Sequence, residues 1–385
     1  MTDIPLLLDQ LIISALNAHA SDIHIQPYPS NYRIRFRSDG LLYDFQSYES
    51  SVATHICARI KVLAQLDVAE KRRPQDGTFP FSHIPYDSDI RVSTFPSQYG
   101  EKLVLRLLDK TSHYKTLDQV GLSPHLQAQL SKAVSQDNGC IILTGPTGSG
   151  KTTTAHALLS TLAISEKNVV TLEDPIEYVF PGVTQSAIQP LLGLTFAAGL
   201  RALLRQDPDV ILLGEIRDAE TAQVAIQAAL TGHQVITTLH TTDAPSALLR
   251  LIHMGCESFL VAAAVQIIVA QRLARRICSS CIQKVPIQSE QALVLRKFGF
   301  ECTHLYEGAG CEDCRGTGCS GRIGIFEVLI LTPAIRSACI EGANYDKVVA
   351  LAAQEGMQSL TEDAFMKLSQ GSIPFSEWSR IALCF

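Results

Sequence analysis

Eight residues, Gly145-Pro146-Thr147-Gly148-Ser149-Gly150-Lys151-Thr152, constrain this chain more than any other feature. They match the spacing G-x-x-x-x-G-K-T without deviation, directly after the apolar run Cys140–Thr144. The pattern that follows predicts a helix through Ala163. Glycines let such a loop curl until successive N–H groups converge on phosphate oxygens, and the helix that follows adds its positive end. Lys151 is placed to reach β- and γ-phosphates, Thr152 to offer its hydroxyl to Mg²⁺, and Thr153 to complete the nucleotide-binding set. The expectation is therefore ATP with Mg²⁺.

The surrounding chain alternates in the way a parallel sheet requires. Strands are expected at Asn168–Leu172, Val210–Leu213 and Gln234–Leu239, and helices at Thr195–Leu204 and Ala219–Leu230. A further helix starts after Ser123-Pro124, a capping residue followed by proline at the first helical position. Polar residues sit just past the strand ends, where open parallel sheets place their ligands. Glu215 follows Val210–Leu213 and is the candidate for polarising an attacking water. Gly214 stands where a metal-binding Asp is expected, which leaves Mg²⁺ to Thr152, phosphates and water. The cluster Glu173-Asp174-Pro175-Ile176-Glu177 either positions water or metal or holds a loop in shape; the residues leave both open. His240 would sense a γ-phosphate or bond to the acidic groups. Arg201, Arg205 and Arg217 flank the Glu215 strand, while Arg91 and Arg106 lie on two strands far earlier in the chain. Cations brought to a γ-phosphate from another domain or subunit would make hydrolysis depend on closure.

Residues 1–110 form a small α/β unit: a helix at Pro5–Ala18, strands at Asp22–Pro27 and Tyr32–Arg37, a helix at Ser50–Leu66, and strands at Asp89–Phe95 and Lys102–Leu108. The expected boundaries are a linker at 111–120, the phosphate-loop domain at 121–272, a cysteine-bearing element at 273–325 and a mostly helical region at 326–385. The apolar stretch Phe259–Ala270 is too short to span a bilayer and predicts a buried helix. The N-terminus lacks the basic start of a secretory signal, so a cytoplasmic location is expected. A net charge of −6 disfavours a protein that coats nucleic acid, and no basic, aromatic channel loop is evident.

Eleven cysteines in a cytoplasmic chain are expected as thiols or metal ligands. Cys278-x-x-Cys281 and Cys311-x-x-Cys314, separated by 29 residues, can each supply two thiolates to a closed, structural Zn²⁺ site. Cys302 and Cys319 are spare thiols nearby. Cys57, Cys140, Cys256, Cys339 and Cys384 are expected as small apolar residues.

Together these motifs resemble the ATPases of type II secretion and type IV pilus assembly, over nearly the whole chain. Ser21–Ile25 and Arg33–Gly40 look like the domain that precedes the motor in that family, a small PAS-like unit. Arg91-Val92-Ser93 and Leu105–Leu108 match its arginine positions, which in the family face the nucleotide. Glu173–Glu177 resembles its aspartate box, Gly214–Asp218 its Walker B, and Thr231–His240 its histidine box. Gln271–Arg275 and Gly321–Gly324 bracket its tetracysteine element. The resemblance implies a RecA-like motor in a homohexameric ring, with subunits completing one another's ATP sites. It implies an inner-membrane platform protein as partner and a peripheral position at that membrane through partners. The cysteines point to the assembly branch rather than to retraction; a nucleic-acid translocase and a ring that does not hydrolyse are the other readings. Two departures stand out. The chain starts at the family's second domain, without the N-terminal docking module, and Cys319 replaces a usual tyrosine, so a fifth thiolate would compete for zinc.

Overall fold

The computed structural model describes residues 3–109, 115–162 and 166–383. Two units, residues 1–113 and 114–385, each enclose their own apolar core.

The first unit is a six-stranded antiparallel sheet with two helices. Helix α1 (Ile4–Asn17) begins where Asp3 accepts the Leu6 amide at 3.1 Å and Pro5 occupies the first turn. It buries Leu8, Leu11, Ile12 and Ala15, one face of a helical repeat. Strands β1 (Asp22–Pro27), β2 (Asn31–Ser38) and β3 (Leu41–Glu49) lead to α2 (Ser50–Leu63). Strands β4 (Gln75–His83), β5 (Tyr86–Ser97) and β6 (Gly100–Asp109) follow. Their order is β3-β2-β1-β6-β5-β4. In β2, Tyr32, Ile34 and Phe36 turn into the core while Arg33, Arg35 and Arg37 turn away, the period of two that a half-buried strand requires. Buried Lys61 donates to Glu101 at 2.9 Å and to the Glu70 carbonyl at 2.6 Å.

Sequence pattern predicted four strands here, and β3 and β4 are the correction. Edge strand β3 is mostly exposed, its apolar residues mixed with Asp44, Gln46 and Ser47 rather than alternating with them, and β4 carries Gly77 and Pro80, so neither announces itself as a half-buried strand.

The second unit opens with α3 (Pro124–Val134), capped by Ser123 as expected. Then come β7 (Gly139–Thr144), α4 (Lys151–Leu159), β8 (Val169–Glu173), β9 (Thr184–Ala187), α5 (Phe196–Leu203), β10 (Val210–Leu213), α6 (Ala219–Leu230) and β11 (Gln234–Leu239). Helices α7 (Ala244–His253) and α8 (Ser258–Ala264) precede the long strand β12 (Val265–Ile277). Hairpin strands β13 (Ile282–Pro286) and β14 (His304–Gly308) enclose α9 (Ser289–Lys297), and β15 (Cys319–Ile330) returns to the main sheet. Helices α10 (Pro333–Ile340), α11 (Tyr345–Gln354), α12 (Leu360–Ser369) and α13 (Phe375–Ala382) complete the chain.

The main sheet runs β15-β12-β7-β11-β10-β8-β9, parallel except for β15. Strands β7, β8, β10 and β11 are wholly buried, which explains why they read as apolar runs without alternation. The C-terminal helices pack around fully buried Trp378 and are tied to β12 by Glu377, which takes the Arg275 side chain at 2.7 Å.

The helix predicted over Phe259–Ala270 is a correction: it stops at Ala264 and the chain continues as β12. No glycine or proline marks the switch; only the β-branched run at Val265, Ile267, Ile268 and Val269 does. The expected limits at 272 and 325 both fall inside strands of this sheet, β12 and β15. The 111–114 part of the linker, the predicted helix end at Ala163, and Cys384 lie outside the described residues. Leu117 and Val120, at the linker's far end, are buried in the second unit's core.

Candidate nucleotide site and tetracysteine centre

Strand β7 ends at Thr144 and the chain curls through Gly145, Gly148 and Gly150 with φ of 148°, 77° and 88° before α4 begins at Lys151. These values lie in the region that favours glycine. Space imposes a second demand. A Cβ on Gly145 would stand 2.4 Å from the Gln271 carbonyl oxygen, and one on Gly150 would stand 2.8 Å from Gln271 Nε2. Strand β12 thus lies hard against the loop, and Gln271 also accepts the Thr154 hydroxyl at 2.8 Å. Lys151 Nζ donates to the carbonyls of Gly145 at 2.8 Å and Pro146 at 3.1 Å. Burial lowers its pKa to about 8, Glu215 opposing and Arg272 assisting the shift. Ser149 Oγ is buried with no hydrogen-bond partner among the described residues. A cation folded back on loop carbonyls and an orphaned hydroxyl suit a loop made for an anion.

Glu215 lies just past β10, where neighbouring β11 delivers His240. One Glu215 oxygen accepts from Arg217 at 2.5 Å and the other faces His240 Nε2 at 3.0 Å. Arg217 also meets Asp174 at 3.0 Å, so Asp174, Arg217, Glu215 and His240, from three strand ends, form one chain of polar contacts. Burial pushes the Glu215 carboxyl upward, but Arg217 and His240 outweigh it and hold it below the ordinary value. The two remaining arginines of the expected group do not join. Arg201 pairs with Glu220 at 2.6 Å and Arg205 donates to the Arg201 carbonyl.

Glu173 occupies a different environment. Its carboxylate is buried, accepts from Thr171 at 2.6 Å and Gln185 at 2.9 Å, and faces His156 of α4 at 3.5 Å. Burial raises its pKa, and these three contacts more than reverse the effect. Glu177 is exposed on the loop after β8. Sequence reasoning missed His156 and Gln185, because nothing in their spacing marks them as neighbours of β8's last residue; Thr171, two residues before Glu173 on the same face of β8, could have been found from the strand's period of two.

In the first unit, Arg91 and Arg106 are directly opposite on β5 and β6 and line an open cavity of about 440 Å³ with Asp22, Asp76 and Ser93. Arg106 reaches Asp22 at 3.1 Å. Like charges in opposite register cost stability, so such a pair is at home beside an anion.

The four cysteines converge. Sγ atoms of Cys278, Cys281, Cys311 and Cys314 lie within 4.8 Å of one another, with separations of 3.8, 3.8 and 3.7 Å for 278–311, 281–314 and 311–314. A Zn–S bond of about 2.3 Å gives a tetrahedral edge of about 3.8 Å, so the set fits zinc. The amides of Cys311 and Gly318 point at Cys314 Sγ and bring its thiol down to about 6. Hairpin β13–β14 with α9 fills the 29-residue gap. Cys319 starts β15 opposite Ile277 and is not among the four; Cys302 packs on the large core. Cys57, Cys140, Cys256 and Cys339 are buried, as expected of small apolar residues.

The parallel sheet, its phosphate loop and the acidic strand end define a RecA-like P-loop ATPase. The family described as "Type II/IV secretion system protein" matches residues 2–380. Type IV pilus assembly ATPase PilB of Thermus thermophilus is 42% identical over 96% of this chain, and type II secretion system protein E of Dickeya dadantii 44% identical over 97%. The chain spans 42% of the first protein's length and 75% of the second's. Among solved structures, the Legionella pneumophila ATPase DotB superposes with a TM-score of 0.73 at 22% identity, covering 99% of this chain and 96% of that one. The pilus retraction motor PilT with bound ADP gives 0.66 at 24%, covering 97% and 96%. This chain belongs to the type II/IV secretion system protein family, among its secretion and pilus-assembly ATPases.

Proposed function

We propose that the chain hydrolyses ATP on the 145–152 loop and that the resulting motion powers pilin or pseudopilin assembly in a type II secretion or type IV pilus system. The observation that carries the chemistry is Glu215, held at a strand end with its charge acting on Lys151. Lys151 leaves its loop carbonyls for the β- and γ-phosphates, and Glu215 takes the proton of the attacking water. His240 and Arg217 hold Glu215 in place and report on the γ-phosphate. Thr152 would hold Mg²⁺, which supplies charge neutralisation to the phosphates. Arg91 and Arg106 are assigned the charge on the transferred phosphoryl group, Glu173 the bracing of β8, and Glu177 a supporting place near the phosphates.

The likeness to assembly ATPases and the four-thiolate centre favour assembly over retraction. The working form on this reading is a homohexamer in the cytoplasm, held at the inner membrane through a platform protein, with no nucleic acid as partner. Among the described residues no helix is long and apolar enough to cross a membrane.

The test is orthophosphate release by the purified oligomer with Mg²⁺ and ATP, with and without its platform partner and with single-stranded DNA. Release that the platform protein stimulates and DNA leaves unchanged is expected. No release under any condition sinks the reading, and stimulation by DNA alone would make the chain a translocase.

A further inference from the structure

Gln271 and Arg272 lie in the middle of β12, a strand whose sequence carries no phosphate-binding signature. The sheet nevertheless brings them beneath the phosphate loop, where Gln271 excludes any side chain at positions 145 and 150. Arg272 continues this floor outward. Its Nη1 donates to the Gln271 carbonyl at 3.2 Å and lies 3.3 Å from where a Cβ on Gly145 would stand. Its Nη2 donates to the Thr242 carbonyl at 2.7 Å, on the loop that follows His240. That loop is in turn fastened to the P-loop strand, because the Thr241 amide donates to Thr144 Oγ1 at 3.0 Å.

We infer that Arg272 is a second phosphate-binding cation of the nucleotide site, bracing the mouth of the loop from β12 and adding its charge to that of Lys151 on a bound polyphosphate. This inference rests on the proposed ATPase function. Its physical basis is crowding of like charge. Lys151 and Arg272 share one edge of the loop: Lys151 Nζ donates to the Gly145 carbonyl at 2.8 Å, and Arg272 Nη1 lies 3.3 Å from where a Cβ on that same Gly145 would stand. Two cations held together beside inward-pointing amides repel one another until an anion of more than one charge arrives. A di- or triphosphate satisfies both; a monophosphate reaches at most one. The guanidinium is half-buried and fixed at two carbonyls, so little ordering remains to be done when the ligand binds.

The test uses the full chain and three probes: ADP, a non-hydrolysable ATP analogue and AMP. Arg272→Gln should weaken the first two about tenfold or more and AMP by less than about twofold, and it should flatten the salt dependence of ADP binding. Arg272→Lys, which keeps the charge but loses the double carbonyl bridge, should stay within about threefold of wild type for all three. Thermal unfolding of each variant shows whether folding contributes, and the Lys variant together with the salt dependence decides if the Gln variant folds poorly. Equal weakening by Gln and Lys would reduce Arg272 to a backbone brace. Wild-type ADP binding that Arg272→Gln leaves intact would overturn the inference while leaving the ATPase reading standing. A wild-type chain that binds no nucleotide at all would overturn both.

Discussion

Glu215 is engaged on both oxygens, by Arg217 and by His240, and this decides how it is expected to act. A carboxylate held below its ordinary pKa is ionised throughout the physiological range and ready to accept a proton, but it is a weak base until a partner moves away. Glu215→Gln keeps the shape and one hydrogen bond, so ATP binding should survive while turnover falls at least ~100-fold, measured by phosphate release under saturating ATP. Near-normal turnover would move water activation to Glu173 or Glu177, of which the exposed Glu177 is the more accessible to water and Glu173 is buried. Lys151 has the opposite sign. Its pKa is lowered to about 8 in the free site, and bound phosphates favour the charged form, so it rises again in the complex. Below pH 8 the ammonium is already charged and affinity should be flat. Above pH 8 binding must take up a proton, and affinity for a non-hydrolysable ATP analogue should fall by up to about tenfold per pH unit. Titration calorimetry from pH 6.5 to 9.5 would show this knee; an affinity constant across that range would mean the lysine is fully charged before the ligand arrives.

Elements differ in how openly the sequence announces them. The P-loop, its strand and the strand ends carrying Glu173, Glu215 and His240 were all legible, because buried parallel strands read as short apolar runs punctuated by polar residues. Strand β12 was not legible as a strand. Its first half continues the apolar pattern of α8, and only tertiary pairing with β7 and β15 separates them. Its contribution to the site was hidden for the same reason, since Gln271 and Arg272 meet the loop across a sheet rather than along the chain. The contacts of Glu173 were equally silent: His156 comes from the P-loop helix and Gln185 from β9, 12 residues beyond Glu173. The cysteine pairs, by contrast, announced themselves through spacing alone, because a knuckle is a local turn. Strands β12 and β15 pair directly beside that centre, with Ile277 opposite Cys319. Removing Cys278 should therefore lower zinc to well under one equivalent per chain and loosen hairpin β13–β14, leaving ADP affinity within about threefold. Metal content by elemental analysis and amide exchange over residues 278–319 check this. Equal zinc in wild type and Cys278→Ser would sink the metal centre.

At the scale of the whole molecule, the hydrophobic clusters separate cleanly. One runs from Leu8 to Leu107, and the others draw only on residues from Leu117 onward. Separate cores imply separate cooperative transitions, each sensitive to what happens inside its own unit. Two perturbations can address them independently. Lys61→Met leaves Glu101 buried without its cation, a loss of about 3–5 kcal/mol that should lower only the first unit's transition. Lys61→Met combined with Glu101→Leu should recover most of it, because two apolar groups need no partner. A non-hydrolysable ATP analogue at ~100 times its dissociation constant should stabilise its binding unit by about 2.7 kcal/mol, and so raise only the second transition. Scanning calorimetry on wild type and the two variants, with and without the analogue, sets these shifts side by side. If ligand and Lys61→Met move one shared transition in opposite directions, the two cores unfold as a single body. Nucleotide binding would then stabilise the first unit as well as its own.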